Sequence, residues 1–308
     1  MDPKLRVQNP AGYILARDNF VLAGFSKRPF SEIATAAGQA FELWLKLVPE
    51  VSIKSALIGT TATRYTKATP NALDRCRAMI KDLPTKKNVY LEILGPQIQG
   101  PDYRLIVNGY VKPSKIAFAD QTNLIEFVFP REFCSDYGED RFVELAVLFF
   151  DILAPDSGYA APALCYGLRG QYAVAGEFIT PLAMRHHGYD VPNNVGTAVT
   201  MGKKCRGARW LTMLSAEMVD QIGGAACLQT QLAEGTSVLE LAKGVLIRAG
   251  SKPEMGDNNK RELTPLLSSV AHAIEPVTYF HDNSILPIFG HNEEKRDRWE
   301  RRFWWNEE

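Results

Sequence analysis

Three consecutive segments, 88–95 (NVYLEILG), 103–111 (YRLIVNGYV) and 123–129 (NLIEFVF), read as strands separated by Gly, Pro and Asn. Strands joined by turn-rich connections pair antiparallel, because a parallel partner needs a crossover of a dozen or more residues. The chain is therefore expected to build mostly antiparallel sheet, and the segments around these three supply its cover. Residues 13–29 are strand material in two apolar clusters, with Asp18 and Asn19 as turn formers between them. The period then changes: Ile33, Ala37, Ala40, Phe41, Trp44 and Leu47 recur at helical steps, with Ser31 as the cap and Pro49 beyond the end. VSIKSALIG (51–59) reads as a strand, NALDRCRAMIKDL (71–83) as a helix, 140–153 as a buried helix and AAPALCYG (160–167) as a strand. In the second half come a helix ending near Gly188, a strand at 208–215 and a short helix capped by Ser215 and stopped by Gly223 and Gly224. Strands are expected at 226–235 (ACLQTQLAEG) and 237–250 (SVLELAKGVLIRAG). Helix and strand recur in both halves without sequence identity. The expected fold is α+β, mostly antiparallel sheets covered by helices, as two packed lobes (1–168 and 169–308) forming one unit.

At 308 residues, 46% hydrophobic and 23% charged, the chain is long enough for a substantial core. Its 35 basic and 35 acidic side chains cancel, which gives no support to steering towards nucleic acid or an anionic membrane. Cys76, Cys134, Cys165, Cys205 and Cys227 are odd in number, widely spaced and without a C-x-x-C pair, so neither a disulfide framework nor a zinc knuckle is expected. No secretory signal and no membrane-spanning run is read, and the expected compartment is the cytoplasm.

Residues 246–267 (LIRAGSKPEMGDNNKRELTPLL) look like either a reaction centre or a corner. Asp257, Asn258 and Asn259 offer capping oxygens, with Asn259 and Glu262 at capping-box spacing. Alternatively Thr264 caps and Pro265 takes the first helical position, ahead of an apolar face of Leu266, Leu267, Val270, Ala271 and Ile274. Asp257 lacks the spacing of a calcium loop. GTAVTMGKKC (196–205) departs from a phosphate-binding loop, because Gly196 and Gly202 are one residue too far apart and Lys203 precedes Lys204 where a hydroxyl is needed. His186 and His187 read as a surface or helix-end pair beside Gly188 and His272 as a helix-boundary residue, with no chelating partner at helical spacing. No dinucleotide cradle and no nucleophile elbow occurs. No catalytic residue, metal ligand or cofactor site is assigned. The tail reads as a short docking helix that aligns Trp299 with Phe303 and either packs Trp304 and Trp305 or presents them to a partner.

ARWLTMLS (208–215), HHGYDVP (186–192) and the corner with Ala249, Gly250, Pro253, Gly256, Asp257 and Asn258 resemble the type VI immunity family, of the TsiT type, most clearly over 185–277. The resemblance implies a cytoplasmic antidote to a toxin delivered by a type VI secretion apparatus, the toxin being a DNase of restriction-endonuclease type. It implies no catalytic residues, only architectural ones. Such an antidote works by occluding its toxin, and the densest acidic loop for a phosphate-binding cleft is SDYGED, with Asp136, Glu139 and Asp140. The alternative reading is a small-molecule enzyme with a dispersed active site, which requires a deep pocket with convergent, perturbed carboxylates or histidines.

Overall fold

Arg6–Gln8 (β1) and Ile14–Ser26 (β2) open a fold organised around β2, a 13-residue strand that runs through Asp18 and Asn19 without a break. The turn expected there does not form because β2 is paired along both flanks, with β7 (Asn123–Pro130) on one side and β8 (Ser157–Tyr166) on the other. Each polar side chain meets a distant partner instead. Arg131 holds Asp18 at 3.0 Å, and Asn19 donates from Nδ2 to the Pro101 carbonyl at 2.6 Å. Local turn preference yields to pairing and burial.

The computed structural model describes residues 5–82, 87–98, 100–111, 119–167, 172–280, 287–290 and 292–304. Among these, β3 (Ser55–Ile58), β4 (Thr66–Lys67), β5 (Val89–Leu94), β6 (Arg104–Gly109), β9 (Leu211–Ser215), β10 (Thr236–Leu241) and β11 (Gly244–Ala249) complete an 11-stranded sheet. Its order is β10-β11-β9-β8-β2-β7-β6-β5-β3-β4, with β1 on the flank of β2. Every pairing of these strands is antiparallel, and β5, β6 and β7 lie side by side as their sequence order demands. β8 pairs with β9, so strands from either side of residue 168 share this sheet.

Alternation gives the central strands two apolar faces. Phe20, Leu22, Leu105, Val107, Ile125, Phe127 and Phe129 point into one core, covered by α1 (Phe30–Leu47), α2 (Pro70–Asp82), α3 (Arg131–Tyr137) and α4 (Glu139–Leu153). Val21, Ala23, Phe25, Ile106, Leu124 and Val128 point into the other, covered by α5 (Tyr172–Arg185), α6 (Asn194–Thr197) and α10 (Glu293–Glu300). A third cluster lies at the β9–β11 end under α7 (Ala216–Gln221), α8 (Gly224–Gln231) and α9 (Pro265–Ala273).

Two local expectations change. Ser31 lies inside α1, whose N-cap position is Pro29; the Phe30 amide is satisfied by the Tyr110 carbonyl at 3.1 Å beyond the end of β6. Segment 226–235 is not a strand. Gly223, at φ +92°, lets the chain restart as α8, and Leu228 is the residue that this helix buries. The sheet edge nearby is already taken by the β10–β11 hairpin. Ser215 caps α7 as expected, accepting from the Met218 amide at 3.4 Å.

Candidate functional site

Where α5 ends at Arg185, its last carbonyls lack intrahelical partners. The corner supplies them. Asn258 donates its backbone N–H to the Arg185 carbonyl at 2.9 Å and its Nδ2 to the Met184 carbonyl at 2.6 Å. The buried Asp257 carboxylate accepts from Nε and Nη2 of Arg185 at 2.8 and 2.7 Å and from the Asn259 amide at 3.0 Å. These bonds hold Asp257 well below the ordinary carboxylate range, the Arg185 hydrogen bond being the main cause. His186 donates from Nδ1 to the Gly256 carbonyl at 3.0 Å, and the Gly188 amide donates to the Met255 carbonyl at 2.9 Å. A Cβ on Gly188 would collide with the Glu254 carbonyl, so only glycine permits this approach. The HHGYDVP and corner segments are therefore two halves of one latch. The capping of α9 differs from expectation. Pro265 takes the first position and Thr264 does not cap through its side chain; the Glu254 carboxylate accepts the Leu267 amide at 3.0 Å.

Beneath the latch runs a buried polar chain. Register places Glu126 of β7 and Tyr159 of β8 on either side of Ala23 in β2. Ala23 is small enough for Asn194 to reach both, donating from Nδ2 to Glu126 at 2.7 Å and to the Tyr159 hydroxyl at 2.8 Å. Tyr159 in turn donates to Asp190 at 2.8 Å, and Asp190 accepts from Arg209 at 2.7 Å with Arg206 at 3.5 Å. At the other end Arg104 contacts Glu126 at 2.8 Å. Burial alone would raise the Asp190 carboxyl, but Arg209, Arg206 and Arg302 outweigh it and hold the group ionised well below the usual range. Burial, with Asp190 beside it, pushes the Tyr159 phenol well above its ordinary value. These are the perturbed groups that a search for an active site would pick out, yet each is engaged by structural partners.

The outer surface of α4 is different. Asp140, Glu144, Leu148 and Asp151, at helical spacing, are all exposed, and Asp136 is exposed at the end of α3. The SDYGED segment is the α3–α4 junction, turning at Gly138 with φ +92°. Asp140 pairs with Arg248 at 2.7 Å and Asp151 accepts the Ala242 amide at 2.9 Å. Beside this stripe, α1, α2 and α4 enclose an open apolar groove of about 810 Å³ that includes Ala34, Gly38, Phe41, Ile80, Leu148 and Ile152.

A family model described as TsiV, type VI immunity for VRR-NUC, matches residues 56–303. The chain belongs to this family. The matched model is of the TsiV type, whereas the motif resemblance points to TsiT; the type VI immunity assignment is the same. No curated protein matches the chain by sequence. Among solved structures, the Pseudomonas aeruginosa T6SS protein PA0821 superposes with a TM-score of 0.77 at 18% identity, covering 97% of this chain and 87% of that one. That likeness shows a shared fold.

The matched immunity region takes in the latch, the buried chain and the acidic stripe. Other sequence candidates find structural roles. Lys203 pairs with Glu217 of α7 at 2.6 Å rather than facing a phosphate. His187 is buried, not at the surface, and His272 is exposed on α9. Cys76, Cys134, Cys165 and Cys205 are buried thiols, and burial pushes the first three up to about 12. Trp299 and Phe303 pack into the second and third cores, Trp304 is half-buried, and Trp305 lies outside the described residues. Among the described residues no group of His, Cys, Asp and Glu is placed to hold a metal, and no helix is long and apolar enough to cross a membrane.

Proposed function

We propose that this immunity-family protein acts in the cytoplasm as an antidote that binds a VRR-NUC nuclease effector and occludes it stoichiometrically, without turning over a substrate. The family match over 56–303 carries the reading. The acidic stripe of α3 and α4 supports its electrostatic side, since a nuclease cleft that accepts phosphates is complementary to a rigid row of carboxylates. Leu148 and the adjoining groove supply apolar area beside those charges. The proposed contact set is Asp136, Glu139, Asp140, Glu144, Leu148 and Asp151.

The decisive experiment is titration of the purified protein against the nuclease encoded beside it, alongside growth rescue on co-expression. A one-to-one complex that abolishes DNA cleavage supports the reading; no complex and no rescue overturns it. Within a complex, Asp136→Lys with Glu144→Lys is expected to weaken binding by roughly tenfold or more while leaving the unfolding midpoint unchanged. Undiminished affinity in that variant removes the stripe from the interface.

A further inference from the structure

On the opposite face of the sheet from α4, the latch and the C-terminal segment enclose a cavity of about 250 Å³, below the size of a typical small-molecule pocket. His187, Asn258, Arg298, Trp299 and Arg302 provide its polar lining, and among the described residues no acidic side chain lines it. Three of these residues are buried and carry nitrogens without a hydrogen-bond partner among the described residues: the His187 ring nitrogens, Trp299 Nε1 and Arg302 Nη2. Arg302 is fixed in place. Its Nε donates to the His187 carbonyl at 2.6 Å, its Nη1 donates to the Trp299 carbonyl at 2.8 Å, and its guanidinium lies 4.0 Å from the Trp299 ring centroid.

The charge around the cavity does not balance. Among the described residues around it, Arg206, Arg209 and Arg302 face Asp190 and Glu300, leaving one positive charge in excess beside the cavity. Burial and the neighbouring Arg209 press the Arg302 guanidinium well below its ordinary value, as expected of a cation short of a counter-charge. An uncompensated buried cation with free N–H groups is costly, and an anion that accepts from them removes that cost. Burial and Arg302 lower His187 to about 4, so at neutral pH its ring is uncharged and keeps one N–H to donate.

We infer that this cavity is a binding site for a small oxyanion, a phosphate or a carboxylate, held by Arg302, Trp299 Nε1 and His187, with the exposed Arg298 at its mouth. Its occupancy ties the C-terminal segment to the latch. The site is independent of the proposed toxin contact, which lies across the sheet.

The test is thermal unfolding and calorimetry of the full chain at pH 7.5, with inorganic phosphate or acetate exchanged for chloride at constant ionic strength. A saturable rise in midpoint and a one-to-one binding heat for either anion is the expected result, and which anion responds identifies the chemistry. Arg298→Gln, at an exposed position, is expected to weaken binding by roughly tenfold with an unchanged midpoint in chloride. Trp299→Phe keeps the packed ring and removes one donor, and should weaken it as well. Failure of both anions to act beyond chloride overturns the site. Equal affinity in Arg298→Gln and Trp299→Phe does the same.

Discussion

Asp190 is completely buried and joins Tyr159, Arg206 and Arg209. Because its partners are themselves buried, neutralising it without changing its shape leaves Arg209 without its carboxylate and Arg206 with only Glu300, at 3.6 Å. Asp190→Asn should therefore destabilise the fold by about 3–5 kcal/mol, read as the shift in urea midpoint at pH 7. A change below about 1 kcal/mol would show that the cluster is solvated and contributes little. Asp190 stands out in the sequence as part of HHGYDVP, but its partners do not, since they come from a strand 31 residues away and a loop 16 and 19 residues away. A usable signal existed nonetheless. Arg104 in YRLIVNGYV and Glu126 in NLIEFVF are lone charges in otherwise apolar strands, and such charges are buried only when paired.

At the scale of elements, the latch between α5 and the corner depends on backbone contact rather than on side-chain volume. Gly188→Ala forces a Cβ against the Glu254 carbonyl and must displace the corner that caps α5. The expected cost is about 1–3 kcal/mol, with faster amide exchange at Gly188 and Asn258, whose N–H groups bond across the latch. An alanine variant with unchanged exchange at both amides would disprove the latch. Elements with one dominant period were legible: α1, α2, α4 and the β5–β7 run, whereas 237–250, expected as a strand, folds back on itself as β10 and β11. Segment 226–235 was not, because its few apolar residues fit a strand or a single-anchor helix equally, and neighbouring packing decided between them. The turn expected in β2 is absent for the related reason that Asp18 and the Asn19 amide nitrogen find partners in Arg131 and Pro101, far away in sequence.

For the molecule as a whole, stability should fall in two stages on acidification. His187 is lowered from 6.5 to about 4 in the native state, with Arg302, His186 and Asp257 around it. Between those values the unfolded chain binds the proton and the native chain does not, so stability declines as pH drops from about 6.5 to about 4. Asp190 and Asp257 have depressed native values, and their contribution is lost only below about 3.8. Unfolding midpoints in chloride from pH 3 to 8 should show both stages, and His187→Gln should flatten only the upper one. An unaltered upper slope in that variant would refute the assignment. The sequence by itself determined the antiparallel sheet, the main helices and the immunity resemblance, because periodicity, turn chemistry and motif spacing are local properties. The tertiary structure alone decided that the strands form one continuous sheet and that scattered charges meet in one buried chain. It also set the acidic stripe and the cationic cavity on opposite faces. Those features depend on register and on which distant groups share a dry interior, and no local pattern in the chain encodes either.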